Sequence, residues 1–324
     1  MKQDIYVLIE HLQGQVAEIS YLMLAAANKL ASQLGCNVVA VLLGHNEQHL
    51  ANDLMASRVL YYDHPDLAYF ASTSCQRVMS DLIQENRPRL VLFGDTSTGV
   101  EVAGPLSARL DLPLVSYCRS LSAQEQTIKF TSQICGGKLI AEGELPTPTA
   151  LVTMIPGAYK AEEGRSASPV VVVHATMPLL EKPPVIFKQY IEPTTSDVDI
   201  SKEAILVAIG RGIQNQDNIG LAEELAQVLN GVLCASRPVV DQGWLPTTRL
   251  VGKSGRRVHP KLYLALGISG APEHVEAITD SELIIAVNTD PSAPIFNFSQ
   301  YGAMSDLLDL LEVLTEKVKT VKVA

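Results

Sequence analysis

The sequence predicts an α/β protein of two domains: an N-terminal, mostly parallel α/β domain with added β-strands, and a C-terminal doubly wound domain with a parallel sheet. Three observations lead to this prediction. Apolar runs alternate with helical segments in both halves of the chain, which is typical of parallel strands covered by helices on both faces. Between residues 114 and 179 the runs follow one another without helices. The length of 324 residues also exceeds one typical core.

The first domain begins with an apolar strand at Ile5–Ile9 and a helix at Glu18–Leu34, which Gly35 ends. Three further strands are expected at residues 38–43, 59–62 and 90–93, with a helix at residues 67–86 that stops before Pro88. Four later runs predict the added strands, at residues 127–134, 138–142, 150–154 and 170–174.

Residues 182–201 are the predicted linker, because they are rich in proline and threonine and have little apolar periodicity. The boundary between the domains, 1–195 and 196–324, falls within this stretch. The second domain then repeats the alternation of strands and helices. Its strands are expected at residues 204–209, 263–266 and 283–287, and its helices at residues 218–229 and 305–318.

Composition excludes several classes of function. The net charge of 25 − 35 = −10 disfavours a nucleic-acid partner, which needs a basic surface. The five cysteines are scattered without a Cys-x-x-Cys pair, so neither a zinc site nor an iron–sulfur cluster is expected. The sequence contains no targeting peptide and no apolar run of membrane-spanning length, so we expect a cytoplasmic protein without direct membrane insertion.

Two glycine-rich turns follow predicted strands of the second domain. Gly267-Ile268-Ser269-Gly270-Ala271 is a candidate anion site, with backbone donors at a helix start. A serine-hydrolase elbow would need glycine where Ala271 stands, which disfavours that alternative. The other turn, Gly210-Arg211-Gly212, lacks the third glycine of a dinucleotide fingerprint, because Asn215 occupies that position. The turn Gly210-Arg211-Gly212 therefore also fits a simple connection between a strand and a helix that binds no ligand.

Three other polar segments lie between the apolar runs of this domain. They are Ser236-Arg237, Val251-Gly252-Lys253-Ser254-Gly255 and Asn288-Thr289-Asp290-Pro291. Taken singly, Ser236-Arg237 also fits an ordinary surface arginine, and the segment around Gly252 also fits a surface turn. The segment that begins at Asn288 also fits an Asx/Pro turn. His45 and His49 have the four-residue spacing of a metal pair on a helix, but the polar residues around them predict a solvated loop.

In this order and spacing the motifs resemble the FAD-binding domain of the electron transfer flavoprotein alpha subunit. The family has Val-Gly-Gln-Thr-Gly, Gly-Ile-Ser-Gly-Ala-Ile-Gln-His and Asn-Lys-Asp-Pro, and this chain departs from them at Lys253, Ser254, Pro272, Glu273 and Thr289. The resemblance implies an FAD site formed by Arg211, Ser236, Arg237, Val251, Gly252, Lys253, Ser254, Gly267, Ser269, Gly270, Ala271, Pro272, Glu273, His274, Asn288, Gln300 and Tyr301.

The resemblance also implies roles within this site. The pyrophosphate would lie at the turn beginning at Gly267, Asn288 near the adenosine end, and His274 near the pyrimidine carbonyl of the ring. Arg237 would lie against the flavin ring, where a fixed positive charge stabilises the reduced form. Lys253, in place of the family's glutamine, would add a second charge near the ring and raise the reduction potential.

The function implied by the resemblance is electron carriage by a heterodimer, without catalytic residues of its own. A beta subunit would pack on the first domain, flavin dehydrogenases such as acyl-CoA dehydrogenases would supply electrons, and a quinone-linked or other acceptor would remove them. One alternative is the alpha subunit of an electron-bifurcating complex, with a second FAD in the beta subunit that is reduced by NADH. The other is a stand-alone nucleotide-dependent oxidoreductase, for which the sequence supplies no identifiable acid–base pair.

Overall fold

A computed structural model describes residues 3–135, 139–180, 185–190 and 198–323 of the chain. The chain divides into two compact units, one formed by residues 1–134 and 138–189 and the other mainly by residues 190–324. The predicted boundary at residues 195 and 196 lies outside the described residues, as does much of the predicted linker. None of the helices in the described ranges is long and apolar enough to span a bilayer.

The first unit contains three helices and eleven strands among its described residues. In chain order they are β1 (Ile5–Ile9), β2 (His11–Leu12), β3 (Gln15–Val16), α1 (Glu18–Leu34), β4 (Val38–Gly44), β5 (Arg58–Asp63), α2 (Ser72–Asn86), β6 (Leu90–Gly94), α3 (Ser97–Leu110), β7 (Leu114–Gln124), β8 (Thr127–Ile134), β9 (Leu139–Glu144), β10 (Ala150–Met154) and β11 (Val172–His174).

Nine of these strands form one sheet in the order β11-β5-β4-β1-β6-β10-β7-β8-β9. The pairs from β11 to β7 are parallel, whereas β8 and β9 join in antiparallel register. The predicted parallel sheet with added strands is therefore confirmed. Strands β2 and β3 form a separate small hairpin.

The sheet is buried on both faces because its strand residues alternate between two cores. In β1, Val7 packs in a cluster with Met23 and Leu24 of α1. The neighbouring Leu8 packs on the other face with Val78 of α2 and Val102 of α3. This period of two explains why the buried strands are apolar throughout.

Two helices of the first unit differ from the sequence prediction. Helix α2 begins at Ser72 and not at residue 67, because Pro65–Leu67 form a separate 3-10 turn whose first amide donor, on Asp66, bonds the His64 ring. Helix α3 was not predicted; Thr96 caps it by accepting from the Gly99 amide at 2.9 Å. Lys138, the first residue of one predicted strand, lies outside the described residues.

The second unit contains four helices and five strands among its described residues. They are β12 (Ile205–Ile209), α4 (Ile219–Val228), β13 (Val232–Ala235), α5 (Arg237–Asp241), β14 (Leu262–Leu266), α6 (Pro272–Val275), β15 (Ile284–Asn288), β16 (Tyr301–Met304) and α7 (Leu307–Val323).

The five strands form a wholly parallel sheet in the order β13-β12-β14-β15-β16. One face is covered by α4 and α7 through residues such as Leu225 and Leu311. The other face packs on Val251, Val258 and Val275. The doubly wound parallel sheet predicted for this half is confirmed, and α7 extends beyond the predicted residue 318.

We expect the Leu92→Ala variant to lose about 2–5 kcal/mol of unfolding free energy, because Leu92 is fully buried in β6 at the centre of the large sheet. The matched control is Leu179→Ala, since Leu179 is 86% exposed and its truncation should change stability by about 0.5 kcal/mol or less. Urea unfolding followed by circular dichroism measures both. Equal midpoints for the two variants would contradict the assigned core.

Candidate functional site

The ends of β12 and β14 mark the point where the order of the second sheet reverses. From β12 the chain first adds β13 on one side, and it later returns to add β14 on the other. The loops that follow these two strands therefore diverge and leave a crevice at the carboxyl edge of the sheet. Gly210 directly follows β12 and Gly267 directly follows β14, so both glycine-rich turns lie at this edge.

These two turns touch each other through their backbones. The Gly212 amide donates to the Gly267 carbonyl oxygen at 3.2 Å, and Gly267 has a φ of 63°. A Cβ atom at Gly210 would lie 2.3 Å from that carbonyl oxygen, and one at Gly267 would lie 2.6 Å from the Gly212 Cα. The close approach therefore requires glycine on both sides of the contact.

The turn after β14 is held in place from the side of β15. The Asn288 side-chain amide donates to the Ile268 carbonyl at 2.9 Å, and the Ile295 amide donates to the Ser269 carbonyl at 3.0 Å. Gly270 has a φ of 85°, and a Cβ there would lie 2.3 Å from the Ile295 nitrogen. The helix predicted after this turn is the single turn α6, so Ser269 and the backbone of the turn are the main donors here.

A cleft of about 820 Å³ opens along this edge, within the range of about 300–1,000 Å³ found for ligand sites. Its lining comes from both glycine turns, the start of α5, the segment around Gly252, α6 and the start of α7. The lining residues are Arg211, Gly212, Gln214, Ser236, Arg237, Pro238, Asp241, Leu250, Val251, Gly252, Lys253, Ser254, Gly267, Ile268, Ser269, Ala271, Glu273, His274, Val287, Asn288, Thr289, Ser305, Asp306 and Leu307.

The cleft brings together the residues predicted from the sequence, except for Gly270, Pro272, Gln300 and Tyr301. Gly270 packs against Ile295 behind the turn. The Gln300 side chain accepts from the Ile284 amide at 2.7 Å and so joins the edge of the sheet. Tyr301 begins β16 and is 67% exposed. Pro272 starts α6 without facing the cleft.

Several lining residues are absent from the predicted set of FAD-site residues, although Gly212, Ile268 and Thr289 belong to motifs found in the sequence. They are Gly212, Gln214, Pro238, Asp241, Leu250, Ile268, Val287, Thr289, Ser305, Asp306 and Leu307. For two of these residues, the sequence contains a signal that could have placed them in the site. Asp241 lies four residues after Arg237, which is the spacing of a helical ion pair. Asp306 directly precedes α7 and accepts from the Leu308 amide at 2.9 Å, as a capping residue does.

Arg237 lies at the mouth of the cleft, held from two sides. Its Nε donates to an Asp241 carboxylate oxygen at 3.3 Å, and its Nη1 donates to the Ser254 hydroxyl at 3.3 Å. The side chain of Arg237 is 66% exposed, so solvent screens its charge. These contacts aim the guanidinium along the cleft and tie α5 to the segment that carries Ser254.

His274 lies at the back of the cleft and is only 6% exposed. Its Nδ1 is 3.1 Å from the Val251 carbonyl oxygen, and its Nε2 is 2.9 Å from the Tyr263 hydroxyl. Burial is the main cause that lowers the pKa of His274 to about 4, and the bond to the Val251 carbonyl offsets only part of this. The imidazole is therefore neutral at physiological pH.

The charges that line the cleft are of both signs. Arg211, Arg237 and Lys253 supply positive charge, whereas Asp241, Glu273 and Asp306 supply negative charge. The Lys253 backbone amide donates to the Glu273 carbonyl at 2.8 Å, which joins the segment around Gly252 to α6. Within the described residues, no group of three or more His, Cys, Asp or Glu side chains is arranged to hold a metal ion.

Comparison with known proteins identifies the family. Residues 5–178 match the electron transfer flavoprotein domain, and residues 199–279 match the electron transfer flavoprotein FAD-binding domain. The electron transfer flavoprotein subunit alpha of Thermoanaerobacterium thermosaccharolyticum is 34% identical, over 99% of both chains. This chain belongs to the electron transfer flavoprotein alpha-subunit family. The predicted family, and FAD as its cofactor, are confirmed.

Other members of the electron transfer flavoprotein family that resemble this chain are named as parts of larger complexes. The acryloyl-CoA reductase electron transfer subunit beta of Anaerotignum propionicum is 33% identical, over 98% of this chain and 96% of its own length. The lactate dehydrogenase (NAD(+),ferredoxin) subunit LctC of Acetobacterium woodii is 30% identical, over 97% of this chain and 76% of its own length. Members of the family normally pair with a beta subunit.

The residues that line the cleft of this flavoprotein suit an FAD molecule in their chemistry. Side chains at Gly210, Gly212 and Gly267 would collide with neighbouring backbone, so only glycine lets the two turns approach each other at this edge of the sheet. Arg211 and Arg237 supply positive charge for a diphosphate, and Asn288, Ser305 and Asp306 supply hydrogen-bonding groups. The roles of individual residues in holding FAD stay predictions.

We expect Gly267→Ala to weaken flavin retention by tenfold or more, because its Cβ would collide with Gly212 and alanine is strained at a φ of 63°. The matched control is Gly220→Ala in α4, where nothing lies within 4 Å of the added Cβ and where alanine should add up to about 1 kcal/mol of stability. Flavin fluorescence released on dilution measures retention. Equal retention in the two variants would contradict this site.

Proposed function

We propose that this chain is the FAD-carrying alpha subunit of a two-subunit electron carrier. It would accept electrons from flavin dehydrogenases, such as acyl-CoA dehydrogenases, and deliver them to a quinone-linked or other acceptor. The observation that carries the proposal is the convergence of two glycine turns and Arg237 on one cleft, inside the domain that matches an FAD-binding family. Bound FAD takes up electrons and releases them, and the protein supplies binding and electrostatics.

Different residues of the cleft would bind different parts of the FAD molecule. The turn from Gly267 to Ala271, with the Ser269 hydroxyl, would hold the pyrophosphate, and Arg211 would neutralise part of its charge. Asn288 and Asp306 would hold the adenosine end, since an amide and a carboxylate both accept from ribose hydroxyls. This division is supported by the presence of Arg211, Ser269, Asn288 and Asp306 together in the lining of one cleft.

The ring end of the site is proposed to be where Arg237 and Ser254 meet. Arg237 would stabilise the extra negative charge that reduction brings, and Ser254 and Asp241 would keep its guanidinium aimed along the cleft. Lys253 would act in the same way, because it replaces the family's glutamine and adds another positive charge to the lining of the cleft. Both residues would therefore raise the reduction potential of the bound flavin.

We further propose that the first domain, residues 1–195, packs on a beta subunit and that residues 196–324 carry the FAD. This proposal rests on the family, whose alpha subunits pair with a beta subunit, and on the separation of the chain into two compact units. The cleft is formed entirely by residues of the second unit.

A second candidate function is favoured by the names of two relatives. One is a subunit of a lactate dehydrogenase that uses NAD(+) and ferredoxin, and the other is an electron transfer subunit of acryloyl-CoA reductase. They support the alternative that this chain belongs to an electron-bifurcating complex, in which the beta subunit carries a second FAD that NADH reduces. The two candidates differ in which electron donor reduces the complex.

We expect Arg237→Ala to lower the midpoint potential of the flavin, by on the order of 1 kcal/mol per electron for the loss of one screened unit charge. Arg237→Lys keeps the charge and should recover part of the shift. Because Arg237 is largely exposed, the difference should shrink as ionic strength rises. Spectroelectrochemical titration measures the midpoint. An unchanged midpoint in Arg237→Ala would remove Arg237 from the ring end.

The choice between the two candidate functions is tested by mixing the purified two-subunit complex with each donor in the absence of oxygen. We expect an acyl-CoA dehydrogenase with its acyl-CoA substrate to bleach the flavin absorbance, and NADH alone to leave it unchanged. Bleaching by NADH would favour the bifurcating alternative. If neither donor bleaches the flavin, the proposed source of electrons is wrong.

A further inference from the structure

The sheet of the first unit also has a point where its strand order reverses. From β1 the chain adds β4 and then β5 on one side, and it later returns to add β6 on the other side. The order therefore reverses between β1 and β6, as it does between β12 and β14 in the second unit. In open α/β sheets, ligands bind at the carboxyl edge beside such a point. The residues that follow β1 and β6 therefore show what occupies this position in the first unit.

Two carboxylic acids lie at this edge, where the second unit has glycines. Glu10 directly follows β1, and Asp95 directly follows β6. Asp95 accepts from the Tyr117 amide at 3.1 Å and from the Thr153 hydroxyl at 2.5 Å. Glu10 is only 8% exposed, and its Oε1 atom has no hydrogen-bond partner within the part of the chain that the structure describes. A buried acceptor in this state is rare and needs a cause in its surroundings.

The backbone of Glu10 is held by the start of α1. Its amide donates to the Ser20 hydroxyl at 2.8 Å, and its carbonyl accepts from the Ala17 amide at 2.8 Å. Ser20 is fully buried, and the hairpin of β2 and β3 lies in the chain between Glu10 and Ala17. With its backbone fixed in this way, Glu10 extends its carboxylate toward the end of β6.

The carboxylate of Glu10 lies against the beginning of α3. The Thr96 hydroxyl donates to Glu10 Oε2 at 2.8 Å and accepts from the Gly99 amide at 2.9 Å, so the N-cap of α3 joins the helix to Glu10. A Cβ atom at Gly94 would lie 2.5 Å from Glu10 Oε1, and one at Gly99 would lie 2.9 Å from it. Glycine at both positions therefore makes room for the carboxylate. The positive end of this 14-residue helix favours a negative charge at the same place.

We propose that Glu10 is an internal ligand, whose carboxylate occupies the anion-binding position at the reversal point of the first sheet. The acceptor that this position would otherwise take from a bound molecule is supplied by the chain itself. The site accepts a small free carboxylate, such as acetate, once the Glu10 side chain is removed. It is closed to the phosphate of a nucleotide while that side chain is present. The inference concerns the first unit alone and does not depend on the proposed FAD site.

Chemical rescue of Glu10→Ala tests this occupancy in the FAD-loaded two-subunit complex. The substitution removes a CH₂–COO⁻ group, which has the size of acetate. We expect hydrogen exchange of residues 96–100 to become about tenfold faster, as for the loss of one buried hydrogen bond, and sodium acetate to restore most of the protection. Sodium chloride at the same ionic strength should restore none. Equal exchange in the two salts would overturn the proposal, as would protection of the parent complex by acetate.

The donor is tested by adding Thr96→Val to the Glu10→Ala variant. The valine cannot donate to a bound carboxylate, so we expect acetate to lose its effect on the exchange of residues 96–100. If acetate still protects these residues, it binds elsewhere and the proposal is wrong. Glu85→Ala, at an exposed glutamate of α2, is the matched control, and its exchange should equal that of the parent in both salts.

The charge is tested by Glu10→Gln, which also serves if Glu10→Ala fails to fold. Burial raises the pKa of Glu10, and the bond from Thr96 opposes this. The glutamine side chain fills the same space and accepts from Thr96, but it has no charge. We expect exchange of residues 96–100 between that of the parent and that of Glu10→Ala, without a response to acetate. Exchange equal to that of the parent would show that an anion is not needed and would overturn the proposal.

Discussion

The second domain depends on one backbone contact, between the turn after β12 and the turn after β14. The strand order reverses there, so two loops that would otherwise diverge must touch at Gly210, Gly212 and Gly267. A Cβ at any of these positions would lie less than 3 Å from neighbouring backbone. Because these positions carry no side chain, the two turns can meet, and residues of both line the same crevice.

The charges of the site follow from where each group can be solvated. Arg237 is mostly exposed and is paired with Asp241. His274 loses its charge because it is buried between Tyr263 and the Val251 carbonyl, which lowers its pKa to about 4. Arg237 therefore contributes positive charge to the cleft, whereas His274 contributes hydrogen bonds within the protein. Residues 251–255 connect the two, since Val251 contacts His274 and Ser254 contacts Arg237.

Local sequence patterns were sufficient to predict most of the fold and the loops that form the site. Helix α1 ends at the glycine that the sequence indicated, and the loops around Gly252 and Gly267 share one cleft. Within the site, what the sequence did not indicate depended on pairing across the fold. The Gln300 side chain bonds Ile284 at the sheet edge, which no local motif encodes. The same holds for the burial of His274 beneath Tyr263, since their contact joins different elements.

The most direct test of this account compares hydrogen exchange in the FAD-loaded complex with exchange in the same complex stripped of flavin. FAD in the cleft should protect the amides of residues 251–255 and 267–274, and should leave the strands of the first unit unchanged. Those two segments belong to different loops, and residues of both line the cleft. If flavin removal leaves their exchange rates unaltered, the cofactor lies elsewhere and the account of this site is wrong.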